Sequence, residues 1–129
     1  MVAPVEATLI DVADGIVLAP IVGALDSRRA AIYRERLLFA AAQQSASEAI
    51  VDVTGVPVVD TAVAQELMRM AGALRLLGAR CYLTGIGPYV ATTIVQIGAD
   101  AGLTAVHTPG SLRKGIAMAI GARRAKRKD

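Results

Sequence analysis

The chain has 129 residues, 54% hydrophobic and 19% charged, which suits one packed domain and argues against disorder. One cysteine and one histidine exclude a disulfide framework, a multi-cysteine metal site and a two-histidine metal site; an aromatic content of 3% leaves too few rings to stack single-stranded nucleic acid. The net charge of +3 is uneven, because five of the 14 basic residues lie in residues 121–129 and the rest of the chain is slightly acidic; this is the pattern of a solvated basic tail, not of a nucleic-acid-binding domain.

Residues 8–12 and 16–22 are β-rich runs separated by Asp14-Gly15, a strong hairpin signal. Asp26 can N-cap a helix running to about Gln44. Residues 50–53 read as a short buried strand, which Thr54-Gly55-Val56-Pro57 interrupts. Asp60 or Thr61 then caps the clearest helix in the chain, with Val63, Leu67, Met70, Leu74 and Leu77 on one apolar stripe and Gly78 as its stop.

Residues 80–84 form the next strand. Gly87-Pro88 opens a helix with Val90, Ile94 and Ile97 inward, and Gly98 is expected to end it. Residues 104–107 are a last short strand. Thr108-Pro109 is expected to open a final helix with Leu112, Ile116, Ala119 and Ile120 inward. The predicted order is ββαβαβαβα, an α/β fold with a mainly parallel mixed sheet and about four helices. One domain is expected over residues 1–121, followed by a basic tail at 122–129. Deleting residues 123–129 is expected to change stability little, because they have no apolar pattern to dock.

Residues 1–25 lack a basic n-region and carry Glu6, Asp11 and Asp14, so no secretory signal is expected. The longest uncharged stretch, residues 81–99, contains a Gly-Pro break and reads as strand, turn and helix, not as a membrane span. A soluble cytoplasmic protein is the expectation.

The chemical signatures are mostly negative. No Gly-Lys pair exists for a phosphate loop, and Gly85-Ile86-Gly87-Pro88-Tyr89-Val90 has Val90 where a dinucleotide fingerprint needs its third glycine. No nucleophile elbow or calcium-loop spacing is present. His107 reads as a structural or solvated histidine and Cys81 as a buried, inert thiol. A phospho-aspartate receiver shares the alternating pattern, but it needs a lysine near the last strand, and the lysines here lie on the final helix and tail. No catalytic residue, metal or cofactor is expected.

The informative segment is Asp52-Val53-Thr54-Gly55-Val56-Pro57-Val58-Val59-Asp60-Thr61. It leaves a buried strand and delivers Asp60-Thr61 to a helix N-terminus. One reading is a plain N-cap, since both side chains accept hydrogen bonds from the first helical N–H groups. The other adds a modification: a hydroxyl there suits a phosphate, which free N–H donors and the macrodipole stabilise. The Asp60 carboxylate would oppose the added charge.

This segment, with Gly23-Ala24-Leu25-Asp26-Ser27-Arg28-Arg29 upstream, resembles a STAS domain, the sulfate-transporter and anti-sigma-factor-antagonist fold. Leu77-Gly78-Ala79, Thr84-Gly85-Ile86 with Pro88, and Thr92-Thr93-Ile94-Val95 resemble the stressosome branch, specifically its co-antagonist sensor proteins. The resemblance covers about residues 12–120.

The resemblance implies a non-catalytic scaffold and phospho-switch. Its partners would be other STAS stressosome proteins, in a homo- or hetero-oligomer, and a serine/threonine switch kinase, with no membrane or nucleic-acid partner. It implies phosphorylation at Thr61 and at Thr93; exposure alone would favour Thr92 over Thr93. Asp26 and Asp60 are the expected partner-binding residues, flanking the switch at one end of the sheet. Sensor proteins carry a separate N-terminal sensory domain, for which this chain has no room, so two alternatives stand: a stand-alone paralogue and a fragment of a longer sensor. Its length resembles the small single-domain scaffold partner, which usually has serine where Thr61 stands. The alternative is a soluble anti-sigma-factor antagonist forming a small complex with an anti-sigma kinase.

Overall fold

A computed structural model describes residues 8–100 and 106–128. Strand β1 (Ile10–Ala13) turns back through Asp14-Gly15 into β2 (Ile16–Val22), and the two pair antiparallel. Gly15 has φ +77, the left-handed conformation that a tight reversal between twisted strands needs. From β2 onward the pairing is parallel, through β3 (Glu48–Gly55), β4 (Arg80–Thr84) and β5 (Val106–His107). The intervening helices are α1 (Ser27–Gln43), α2 (Thr61–Leu76) and α3 (Pro88–Asp100), and α4 (Leu112–Lys128) follows β5. The element order matches the sequence prediction.

The spatial order is β1-β2-β3-β4-β5, so each parallel strand is added on the same edge as the one before. Parallel crossovers share one hand, which puts α1, α2 and α3 on the same face. There Leu37, Leu67, Leu74 and Ile94 pack on Val17, Val51 and Leu83 of the sheet. Helix α4 follows the last strand, is free of that constraint, and covers the other face. It packs Leu112, Ile116, Ala119 and Ile120 over Ile16, Leu18, Ile50 and Tyr82. Full burial of each such aliphatic side chain contributes roughly 1.5–3 kcal/mol, so the three-helix face carries most of the core. Among the described residues, no helix is long and apolar enough to cross a membrane.

Several boundaries differ from the sequence reading. Strand β3 begins before residue 50 and ends after residue 53, because its ladder with β2 extends from Ile16↔Glu48 to Val22↔Gly55. The polar Glu48 and Asp52 are tolerated there because each accepts at least one side-chain hydrogen bond. Helix α3 continues past Gly98 to Asp100. Leu77 is the C-cap of α2 and is 48% exposed, so the apolar stripe stops at Leu74. Helix α4 opens at Leu112, not at Thr108-Pro109, because the Ser111 hydroxyl accepts the Lys114 N–H at 3.2 Å. Residues 104 and 105, predicted as strand, lie outside the described residues.

The largest correction concerns the basic C-terminus. Helix α4 runs through the expected boundary after Gly121 and continues to Lys128. Its last turns are rich in cations, which suit the negative end of the helix dipole. The half-buried Arg123 docks on the strand N-termini. Its NH1 donates to Ser47 Oγ at 3.1 Å and its NH2 to Asp14 Oδ2 at 3.4 Å. A Cβ on Gly15 would fall 2.3 Å from Arg123 Cζ, so this glycine serves both the turn and the guanidinium. The sequence reading missed the dock because Arg123 adds no apolar periodicity.

Candidate functional site

Parallel strands followed by helices bring the N-termini of α1, α2 and α3 to one end of the sheet. Asp26 caps α1: its side chain accepts the Arg29 N–H at 2.8 Å. The Arg29 side chain in turn holds the loop that carries Asp26. Its NH2 donates to Val22 O at 2.8 Å and its NH1 to Ala24 O, while the guanidinium lies 5.6 Å from the Tyr33 ring centroid. Asp60 caps α2 in the same way, accepting the Val63 N–H at 2.9 Å. Asp60 is therefore the cap and Thr61 the first helical residue, and both are exposed.

Two hollows meet at Asp60. The first, of about 220 Å³, is lined by Leu25, Asp26, Asp60, Val63 and Glu66 among others. It brings together the two aspartates expected to flank the switch. Glu66 was not singled out in the sequence. It is largely buried on α2 and paired with Arg69 and, at 3.5 Å, with Arg34. The second hollow, of about 250 Å³, is lined by Val59, Asp60, Thr61, Tyr89, Val90 and Thr93, with Ala64 behind them. It joins the start of α2 to the second turn of α3.

The two threonines of α3 are placed differently. Thr92 is exposed, donates to Pro88 O at 3.0 Å, and does not line the hollow. Thr93 is half-buried, donates to Tyr89 O at 3.2 Å, and lines the hollow with Thr61. Among the described residues, no Lys, Arg or His lines the second hollow, and Tyr89 on its rim is 86% exposed.

The floor beneath this end is rigid. Asp52, on β3, accepts Thr54 Oγ1 at 2.9 Å and Thr84 Oγ1 at 2.7 Å. Thr84 stands opposite Asp52 in the β3–β4 register and Thr54 two residues along, so all three share one face. That alternation was the signal available in the sequence. Gly85, with φ +83, follows β4 so closely that a Cβ would fall 2.2 Å from Thr54 Oγ1. The chain then enters α3 at a fixed height, which sets where Thr93 lies.

The remaining candidate groups are structural. Cys81 is buried in β4, and burial pushes its thiol up to about 12. The His107 ring stacks on Tyr82 with centroids 5.0 Å apart. Tyr82 OH donates to the fully buried Glu48 at 2.9 Å, and burial, reinforced by that hydrogen bond, raises the phenol well above its usual range.

The STAS domain family model matches residues 7–111. The chain is 43% identical over 115 residues to the RsbT co-antagonist protein RsbRA of Bacillus subtilis (strain 168), covering 89% of this chain and 41% of that protein. It thus spans about two fifths of the curated relatives' length. In structure it is similar to a serine-to-glutamate variant of Moorella thermoacetica RsbS, with a TM-score of 0.73 and 28% identity over 92% of this chain and 97% of that one. A chain from the molecular architecture of the stressosome, a signal integration and transduction hub, aligns with a TM-score of 0.67 and 26% identity, over 91% of this chain and 99% of that one. With a family model over most of its length and a fold shared with these proteins, the chain belongs to the STAS domain family and is similar to the stressosome's co-antagonist proteins.

Proposed function

We propose that this chain is a non-catalytic scaffold and phospho-switch module of a stressosome-type assembly in the cytoplasm. It binds other STAS domains and a serine/threonine switch kinase, and threonine phosphorylation regulates stress signalling through it. Thr61 is the principal modified residue and Thr93 the second; Asp26 and Asp60 contribute to partner binding. The observation that supports this reading is the meeting of Thr61, Thr93 and Asp60 around one hollow at the exposed ends of two helices. The relatives' name, co-antagonist of RsbT, supports an RsbT-like partner for this chain too.

The chemistry of the switch follows from its position. Phosphate on Thr61 adds about −1.5 to −2 charges at neutral pH. The α2 N–H groups partly stabilise that charge, so the fold persists. A partner would then face phosphate, Asp60 and Asp26 together, and its affinity would fall. Thr61→Val should fold and keep the binding behaviour of the unmodified chain. Thr61→Asp should mimic the phosphate only in part, since it supplies one charge on a shorter group.

Assembly is tested by light scattering after size-exclusion chromatography, with the chain alone and mixed with other STAS proteins of its source organism. A particle in the megadalton range supports the scaffold reading. A monomer or dimer that captures only an anti-sigma kinase contradicts it and favours the small-complex alternative.

A further inference from the structure

We propose that Thr61 and Thr93 form one coupled switch, in which a phosphate on either threonine opposes the charge of a phosphate on the other. The proposal rests on the reading of both as phosphorylation sites and concerns how they influence each other. They come from different helices yet line the same hollow of about 250 Å³, with Asp60 between the hollows. Residues 56–68 and 85–100, which build this part of the surface, contain no Lys, Arg or His. The adjoining hollow adds the carboxylates of Asp26 and Glu66. Arg69 on α2 and Arg34 on the neighbouring α1 are both engaged by Glu66. Two phosphates here would face each other with no lining cation between them.

The coupling itself is reciprocal, but the two sites differ in how far their surroundings offset a phosphate. Thr61 is the first residue of α2, where unbonded N–H groups and the positive end of the helix dipole offset a phosphate. Thr93 lies inside α3, where the backbone N–H groups are already used within the helix and its own hydroxyl bonds to Tyr89 O. A phosphate on Thr93 is therefore the less compensated of the two and loses its second proton later, when its neighbour is already doubly charged.

The test needs no kinase, so its failure is distinguishable from failure of the switch reading. Phosphothreonine is encoded genetically at position 61, at position 93 and at both, and the second ionisation of each phosphate is followed by phosphorus NMR against pH. In the doubly modified chain each second pKa is expected to rise by about half a unit to one unit at low salt, more at Thr93. The rise should shrink near 1 M salt, where the screening length falls to about 3 Å. If the doubly modified chain does not fold, Thr61→Glu carrying phosphothreonine at 93 provides the same comparison with one added charge and a smaller rise. Second pKa values that agree between singly and doubly modified chains to within about 0.1 unit, too small for charges facing each other at close range, would overturn the proposal. A rise that salt leaves unchanged would overturn it as well.

Discussion

The two ends of the parallel sheet use similar residues to different effect. At the strand N-termini the charges close on one another. Glu48 receives Tyr82 OH and lies 3.4 Å from Arg80 Nε, while Arg123 reaches from α4 to Ser47 and Asp14. At the strand C-termini, Asp26 and Asp60 bond to the backbone of their own helices and otherwise face solvent beside Thr61. The difference is topological. Helix α4 ends over the first group and supplies a cation to it, whereas α1, α2 and α3 begin at the second and supply N–H groups. The closed end is structural, and the open end keeps acceptors and a hydroxyl available to a partner.

This contrast can be broken from either side. The largest effect is expected at the floor of the open end. Gly85→Ala places a Cβ 2.2 Å from Thr54 Oγ1 and 2.6 Å from Thr54 N in a residue at φ +83. It should cost about 3 kcal/mol in urea unfolding, from left-handed strain plus steric overlap. At the closed end, Tyr82→Phe leaves Glu48 without its phenol donor while Glu48 Oε2 already has no hydrogen-bond partner. The expected loss is about 1–3 kcal/mol by the same measurement. Thr61→Val, at the exposed end, should stay within about 0.5 kcal/mol of the unsubstituted chain. A loss at Thr61 as large as at Tyr82 would remove the contrast.

Arg123→Ala is expected to cost about 1 kcal/mol, since it removes one bond to Ser47 and one partly exposed ion pair. Truncation after Ala122 should cost at least as much, and thermal melts at low and high salt would separate the two contacts. A smaller sharpening comes from Cys81. Its thiol rises from an ordinary value of 9.0 to about 12 through burial. Burial favours the neutral thiol, so its contribution is complete below the unfolded value and is lost as pH rises through the folded one. Between pH 6 and 8 this group should leave stability unchanged (about zero slope). A thiol reagent should label Cys81 only as the chain unfolds.

What could be read in the sequence was local. Asp14-Gly15 marked the hairpin, and Asp26 and Asp60 marked two helix starts because capping is decided within three residues. Alternating βα segments disclosed the parallel sheet, and the motif around Asp60-Thr61 pointed to the family. What escaped depends on side chains far apart in the chain. Arg123 meets Asp14 across 109 positions, and Tyr82 meets Glu48 across 34. The hollow shared by Thr61 and Thr93 exists because α2 and α3 pack side by side; a helical wheel of α3 turns Thr92 outward and Thr93 toward the apolar stripe, but it does not show what Thr93 meets on α2. Nothing in the sequence sets Glu66 apart on α2, yet it lies mostly buried between two arginines.

The most direct test of the switch is phosphorylation of the folded chain by an RsbT-like kinase from the same organism. Mass-spectrometric site mapping would be followed by titration of kinase binding before and after modification. The account predicts phosphate on Thr61, none at that position in Thr61→Val, and weaker kinase binding once Thr61 is modified. Phosphate confined to Thr92, an unmodified Thr61, or an affinity that modification leaves unchanged would contradict it, and Asp60-Thr61 would then be the start of a helix and nothing more.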